Sequence, residues 1–496
     1  MIHNISDIFA RYQIRHVTID SRHVLPSAAF FAIKGHSVNG NDFIEQALAK
    51  GALIAITDEA SKVVDNERVF YVADIEQALH QALDLLYPLR PEKIIAVTGT
   101  NGKSSVVSYV HQILSQLGQS SCALGTLGIN CNKMLDQAKY PEYQQIAKAG
   151  LTTLDIVSFR AIMHILAEQG VRHVACEASS HGIDQDRIYG IKADAAGFTS
   201  FSQDHLDYHG SMERYLAAKL KLFSNYLKDG GAAVIKQDEH YMPAMRSFLE
   251  EHAISYSLVG TNTDCDINFQ ILEHDLDQQK IKLSCSGFEH IFTTGIIGSF
   301  QASNLLIAAK LVANIGFDFA EIIEALPEVI AVQGRLQKIT VDKEQKPGSP
   351  YIFVDYAHTP DALEKSLLEL KALMPSSGRL FVIFGCGGDR DKLKRPMMGK
   401  VADEIADMVI ITDDNPRTED PAIIRQEIAA AATKAQIITP RDKAIIAAIE
   451  QMGSKDALLI SGKGHEDYQI IGKQIHHFSD IEVATSALKK KMNIGE

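Results

Sequence analysis

The chain has 496 residues, 46% hydrophobic and 22% charged, with a formal net charge of −13. That length exceeds what one hydrophobic core supports and points to about three domains of ordinary soluble globular composition. The acidic balance argues against general nucleic-acid binding, which needs a basic surface. The absence of a basic and apolar leader and of any apolar run near membrane-span length predicts a cytosolic protein with no membrane span.

Residues 1–88 carry short alternating runs, AFFAIKG and ALIAITD, around a helical NDFIEQALAKG, which predicts a small α/β domain. YPLRPEK, with Pro88 and Pro91, reads as a linker. From Lys93 apolar strands alternate with helices: KIIAVTGT runs into SSVVSYVHQILSQLG, and VRHVACEASS and AAVIKQD are further buried strands. That rhythm predicts a central parallel sheet with helices on both faces over residues 89–331. Beyond VIAVQGRLQKI, the segments YIFVDYAHTP, RLFVIFGCGGDRD, DMVIITDDNPR and DALLISGKGHED each end an apolar strand in a polar, Gly- or Pro-containing loop. Residues 332–496 therefore form a third, Rossmann-like unit, with chemistry expected at the carboxyl ends of its strands. The six cysteines, at 122, 131, 176, 265, 285 and 386, show no CxxC pair and no zinc spacing, so reduced core thiols are expected.

KIIAVTGTNGKSS places a Gly-rich turn, Gly99, Thr100, Asn101, Gly102, Lys103, Ser104 and Ser105, between a β-branched strand and a helix. Backbone N–H groups and a helix N-terminus there can cradle phosphates, with Lys103 on the β/γ oxygens and Ser104 on Mg²⁺. The usual GxxxxGK[ST] pattern fails because Val97 stands five residues before Gly102, so the loop is a shorter one. Glu177 ends the strand of CEASSHGIDQDRI, where its carboxylate can ligate a metal, and Asp204, His205, Asp207 and His209 crowd the next loop. After that loop GSMERYLAAKLKLFSN is an amphipathic helix in which, on spacing alone, Lys219 is a solvated charge.

TGTNGKSS, EASSHGIDQDR, DHLDYHG and the pattern Tyr215-x-x-Ala218-Lys219-x-x-Leu222-Phe223, in this order, resemble the Mur ligase family, ATP-dependent amide-forming enzymes of peptidoglycan precursor synthesis. VDYAHTPDAL, FGCGGDRDKLKRP, DNPRTEDP and GKGHEDYQ narrow the resemblance to the member adding the third residue of the stem peptide. It covers all three segments, most thinly the N-terminal one and residues 228–295. The implied architecture is a UDP-binding α/β domain, a central phosphate-loop ATPase domain and a C-terminal Rossmann-like domain that binds the amino acid.

The resemblance also implies roles. Lys219 matches a lysine that CO₂ converts to a carbamate; an ammonium would repel Mg²⁺, whereas a carbamate offers a carboxylate on a long arm. Lys103, Glu177, His205 and Lys219 are then catalytic. Ser104 and Glu177 hold one Mg²⁺, and the Lys219 carbamate with His205 and Glu177 a second. Asn304, Arg335 and Asp355 join the phosphate loop on ATP; Gln301 stands where the family often has asparagine and receives no role. For the substrate UDP-N-acetylmuramoyl-L-alanyl-D-glutamate, Ile19, Ser21, His36, Ser37 and Val38 face the uridine diphosphate, with Arg22 a further candidate. Thr152, Thr153, Ser179, Gln185 and Arg187 hold the muramoyl dipeptide, and Leu151 receives no contact. Arg390, Asp414, Asn415, Pro416, Arg417, Gly462 and Glu466 take the entering amino acid. An arginine fork suits the extra carboxylate of meso-diaminopimelate, which lysine lacks. A monomer is expected. Other readings are an L-lysine acceptor, another ligase of the Mur and folylpolyglutamate synthetase superfamily, or a phosphate-loop ATPase switch. A nicotinamide dehydrogenase is a further one, though FGCGGDR lacks its third glycine.

Overall fold

The computed structural model describes residues 4–35, 38–63, 67–147, 151–238, 240–285, 287–341 and 348–493. The chain forms two compact units, Met1–Tyr256 with Lys310–Asp318, and Ser257–Ala309 with Phe319–Glu496.

The first unit opens with α1 (Ile5–Tyr12), β1 (His16–Thr18), β2 (Ala28–Phe31), α2 (Ile44–Ala49), β3 (Ile54–Thr57), β4 (Val69–Tyr71) and α3 (Ile75–Leu86). β1 to β4 pair in sequence order, all parallel. All four residues of β2 and of β3 are buried, as continuous apolar strands of a parallel sheet should be. Next come β5 (Lys93–Thr98), α4 (Lys103–Gln116), β6 (Ser121–Gly125), β7 (Gly128–Cys131), α5 (Pro141–Ala147), α6 (Ile156–Glu168) and β8 (His173–Glu177). α7 (Ser180–Asp184), β9 (Ala193–Phe198), α8 (Leu206–His209), α9 (Met212–Asn225), β10 (Leu227–Lys236) and α10 (Met242–Glu251) follow. Their strands order as β10-β9-β5-β8-β6-β7, parallel except for β7 against β6. The YPLRPEK segment is pinned by two arginines. The buried Arg160 donates to Leu83 O, Tyr87 O and Asp84 Oδ1 at 3.3, 3.1 and 2.7 Å, placing a cation on the C-terminus of α3. Arg90 bonds Tyr87 O and Gly190 O at 2.6 and 3.0 Å.

The expectation of six reduced thiols is corrected at one pair: Cys122 and Cys131 form a disulfide. Sequence spacing gave no sign of it, because the antiparallel β6–β7 hairpin is what sets the two residues opposite each other. Cys176, Cys265, Cys285 and Cys386 are thiols.

In the second unit β11 (Ser255–Gly260), which begins just before the sequence boundary, pairs in parallel with β12 (Ile267–His274). β12, β13 (Gln279–Cys285) and β14 (Phe288–Thr294) then run antiparallel. α11 (Ser299–Asn314), whose residues from Lys310 belong to the first unit, and α12 (Phe319–Ala325) lead to β15 (Gln337–Lys338), β16 (Tyr351–Asp355), α13 (Pro360–Leu373), β17 (Leu380–Phe384), α14 (Lys394–Ile405) and β18 (Met408–Ile411). α15 (Pro421–Ala429), β19 (Gln436–Ile437), α16 (Arg441–Gln451), β20 (Ala457–Ser461), β21 (Tyr468–Ile471), β22 (Gln474–His477) and α17 (Asp480–Lys491) complete the chain. The sheet orders as β15-β16-β20-β17-β18-β19, parallel except at β15. Alternate strand residues feed two cores. Leu380, Val382 and Phe384 pack with Leu367 of α13, Met398 of α14 and Ile428 of α15, while Phe381 and Ile383 pack with Ile445 of α16 and Leu488 of α17. This is the predicted α/β architecture, with sheets dominated by parallel pairs.

Among the described residues no helix is long and apolar enough to cross a membrane.

Candidate active site

The phosphate loop joins β5 to α4. Gly99 and Gly102 have φ of +146° and +89°, and a Cβ on Gly99 would fall 2.0 Å from Thr199 Oγ1, so both positions demand glycine. The segment after β9 braces the loop: Thr100 N donates to Ser200 O at 2.7 Å and Asn101 N to Ser200 Oγ at 2.9 Å. Helix α4 starts at Lys103, so its first N–H groups open toward the loop.

Two lysines converge on one carbonyl of this loop. Lys103 Nζ donates to Gly99 O at 2.9 Å, and Lys219 Nζ donates to the same oxygen at 2.8 Å. Lys219 is 1% exposed. It lies on the buried stripe of α9 with Tyr215, Ala218, Leu222 and Phe223, which corrects the solvated position that helix spacing alone suggested. Lys221 is the surface lysine and pairs with Asp184 at 2.7 Å. Burial, with Lys103 adding to it, drives the Lys219 amine well below the usual lysine range; Asp204 opposes the shift. Lys219 Nζ also lies 4.4 Å from the Tyr215 ring centre, and the Tyr215 hydroxyl is 3.2 Å from Thr100 Oγ1, tying α9 to the loop.

Glu177 leaves the sheet beside the loop, since β8 lies next to β5 with Glu177 opposite Val97. Its carboxylate accepts from Thr126 N at 2.8 Å and lies 3.2 Å from Thr126 Oγ1. His205 keeps 44% of its side chain exposed. The protein around its ring holds it below the ordinary imidazole range against the pull of Asp204. The His181 ring sits 4.7 Å from that of His205 and 5.4 Å from that of His209, and burial lowers both of those histidines too. Neutral imidazoles keep a lone pair for a ligand. Among the described residues no cluster of three or more His, Cys, Asp or Glu could hold a metal. A hydroxyl and a carboxylate, Ser104 and Glu177, suit a Mg²⁺ ion that draws its remaining oxygens from phosphate and water.

The dipeptide candidates come together. Thr153 Oγ1 donates to Glu177 O at 2.9 Å and accepts from Ser179 N at 2.9 Å. Arg187 reaches Thr153 O at 3.1 Å and Gln185 Oε1 at 2.6 Å, and Thr152 Oγ1 is 3.0 Å from Thr126 Oγ1. Ser179 also caps α7, accepting from Gly182 N at 3.1 Å. Ile19, Ser21, Arg22 and Val38 line a cavity of about 1160 Å³ with Leu151 and Asp155. His36 and Ser37 lie outside the described residues.

In the second unit, Asn304 Nδ2 donates to Gln301 Oε1 at 3.1 Å and Gln301 Nε2 to Arg335 O at 3.3 Å. The Arg335 guanidinium lies 4.3 Å from the Tyr356 ring centre. Asp355 accepts from Leu336 N and from Ala357 N, the latter at 2.8 Å, and burial raises its pKa against the opposing effect of Arg335. Gln301, given no role from sequence, links Asn304 to Arg335.

The amino-acid candidates gather where β17, β18 and β20 end. A Cβ on Gly387 would lie 2.8 Å from Arg417 Nη1 and 3.7 Å from Arg390 Cγ, so both arginines flank that glycine. A Cβ on Gly388 would lie 2.0 Å from Pro416 O. The FGCGG glycines therefore admit the neighbouring DNPR loop, which explains them without a dinucleotide. Arg417 Nη1 donates to Gly388 O at 2.8 Å. A Cβ on Gly462 would lie 2.7 Å from Asp414 Oδ2, and Asn415 Nδ2 donates to Glu466 Oε2 at 3.0 Å.

Three family descriptions match: the Mur ligase family catalytic domain over residues 13–89, the Mur ligase middle domain over 97–312, and the Mur ligase glutamate ligase domain over 334–464. A Rickettsia conorii protein named UDP-N-acetylmuramoyl-L-alanyl-D-glutamate–2,6-diaminopimelate ligase is 47% identical over 494 residues, covering 99% of each chain. The chain belongs to the Mur ligase family. A solved structure titled with that same ligase name matches with a TM-score of 0.65 at 31% identity, covering 97% of this chain and 95% of the other. MurF ligase from Thermotoga maritima, solved in complex with ADP, shares the fold with a TM-score of 0.63 at 18% identity, over 97% and 98% of the two chains. As a Mur ligase, the protein is an ATP-dependent enzyme forming amide bonds.

Sequence reasoning passed over several residues of this Mur ligase site. Thr126 was hidden because its role arises from strand adjacency between β6 and β8. Lys463 sits inside the quoted GKGHED motif yet received no role. The β21–β22 hairpin, marked in the sequence only by Gly472 at its turn, carries Gln469 Nε2 to Asp414 O at 2.6 Å and Ile470 N to Asn415 Oδ1 at 2.9 Å.

A Cβ on Gly125 would lie 2.1 Å from Glu177 Oε1. Gly125→Ala should push that carboxylate off Thr126 and lower kcat by about 10–100-fold, as for other losses of a ligand-orienting contact. Steady-state ligation rates alongside a thermal melt would check this, and a normal rate in the alanine variant would contradict it.

Proposed function

We propose that this Mur ligase joins meso-diaminopimelate to UDP-N-acetylmuramoyl-L-alanyl-D-glutamate in peptidoglycan precursor synthesis. Relatives matching nearly the whole chain are named for a 2,6-diaminopimelate ligase. What supports the reading in this chain is that Arg390 and Arg417 flank Gly387, while Asn415, two residues before Arg417, bonds Glu466. Diaminopimelate has a second carboxylate that an arginine fork can hold, whereas lysine ends in an ammonium alone. Asp414, Pro416 and Gly462 belong to the same loops, Gly462 packing on Asp414 Oδ2 and Gly388 on Pro416 O.

The γ-phosphoryl group of ATP moves to the side-chain carboxylate of D-glutamate, giving an acyl phosphate and ADP. The acceptor amine attacks the acyl carbon, and inorganic phosphate leaves as the amide forms. The loop from Gly99 to Ser105 and Lys103 neutralise the phosphoryl group in flight; Asn304, Arg335 and Asp355 contribute to ATP binding. Mg²⁺, when bound, supplies further charge neutralisation; Ser104 and Glu177 would hold one ion, and Glu177, His205 and a carbamate on Lys219 a second. The neutral Lys219 amine forms a C–N bond to CO₂ and loses one proton to solvent, which replaces a potential cation with an anion. Ile19, Ser21 and Val38, with His36 and Ser37 by resemblance, take the uridine diphosphate end; Thr152, Thr153, Ser179, Gln185 and Arg187 take the dipeptide. The functional divisions are residues 1–88 for the UDP-sugar, 89–331 for ATP and 332–496 for the amino acid. The enzyme acts as a cytoplasmic monomer.

Purified protein should release phosphate from ATP only when the UDP-muramoyl dipeptide and meso-diaminopimelate are both present. Equal rates with L-lysine would overturn the acceptor assignment, and release without either acceptor would favour an ATPase switch. Arg417→Ala should cost about 2–4 kcal/mol in kcat/KM for diaminopimelate, the loss of a charge-assisted fork. An unchanged kcat/KM in that variant would remove Arg417 from the pocket's recognition role.

A further inference from the structure

Behind the amino-acid pocket lies a lysine with no solvent contact. Lys463 is 0% exposed. Its Nζ is 3.1 Å from Glu466 Oε2 and 3.3 Å from Asn415 Oδ1. Asn415 closes the triangle by donating to Glu466 Oε2, and its Oδ1 also accepts from Ile470 N of β21 at 2.9 Å. Glu466 keeps 15% of its side chain exposed, so it is the member of the triangle that a ligand can reach. Asn415 and Lys463 both bond Oε2, which leaves Oε1 to meet an ammonium.

We propose that Lys463 is a positioning residue for the entering amino acid, holding Glu466 as an ionised, aligned carboxylate for the acceptor's amine. This rests on the acceptor pocket proposed above. A buried carboxylate needs a buried cation or a proton. Glu466 is packed near Asp414, Tyr356 and Tyr468 as well as Lys463, and Arg441 senses its charge from α16. Burial and Asp414 both push the Glu466 carboxyl above its usual range, while Lys463 and Asn415 oppose them. Removing the lysine therefore raises that pKa further. The carboxylate is then lost at a higher pH as the solution is acidified, and the acceptor amine loses its partner there first.

The test is Lys463→Met in the full-length enzyme, alone and combined with Glu466→Gln, with KM for ATP, the UDP-sugar and the amino acid followed across pH. The expected result is a roughly tenfold rise in amino-acid KM at neutral pH, the worth of one charge-assisted bond. The acid limb of kcat/KM should move to higher pH, with the other two KM values nearly unchanged. In the Glu466→Gln background the lysine substitution should have no further effect on the amino-acid KM. A pH-independent loss, a parallel rise in all three KM values, or an undiminished effect in the Glu466→Gln background would overturn the proposal. If Lys463→Met does not fold, Lys463→Gln is read in the same way. Wild-type protein that ignores diaminopimelate would count against the acceptor assignment alone, and the series is then read with the amino acid it uses.

Discussion

The Gly99 carbonyl accepts a hydrogen bond from each of two lysines, Lys103 and Lys219, and much of the central site follows from that. Two amines converging on one oxygen disfavour a second positive charge, and burial lowers the pKa of the more buried one. Lys219 is that one, because α9 carries it inward on the same stripe as Tyr215, Leu222 and Phe223. The positive-φ backbone at Gly99 presents the shared oxygen, and the Thr199–Ser202 segment keeps it in place. The site thus favours the neutral form of an amine beside the phosphate loop, the form that carbamate formation requires.

The proposed acceptor site meets a related problem with the opposite sign. Its carboxylates are buried, so it places cations behind them, and whole loops are set by wholly buried guanidinium groups. Arg395 binds Glu419 and Glu427, fixing the turn after Pro416. Arg441 forks onto Asp480 with two bonds of 2.7 Å and donates to Ser461 O at 2.9 Å, holding the strand end that becomes the Gly462 loop. Such pairs contribute little net stability over apolar packing, but losing one partner strands a charge. Their value here is registration: the DNPR and GKGHE loops meet at fixed spacing, and Gly385 and Gly388 pack directly on the backbone of the first.

Strand–helix alternation made the parallel sheets legible in the sequence, and the phosphate loop was legible because its glycines, lysine and flanking elements are contiguous. Residues acting across neighbouring strands or loops were not. Thr126 reaches Glu177 only through sheet order, Cys122 meets Cys131 only through a hairpin, and Lys463 matters only because its motif folds back on Asn415. Lys219 is intermediate: Tyr215, Ala218, Leu222 and Phe223 at helical intervals place it on the apolar face, a signal that treating every lysine as a surface residue obscures.

The central claim is that Lys219 is kept as a neutral amine so that CO₂ can convert it to an anion facing the phosphates. The most direct measurement is carbon NMR of the full-length enzyme equilibrated with isotope-labelled bicarbonate, comparing wild type with Lys219→Ala. A carbamate carbonyl signal present in the wild type and missing from the variant is the expected result. A fully active wild-type enzyme showing no such signal would contradict the account.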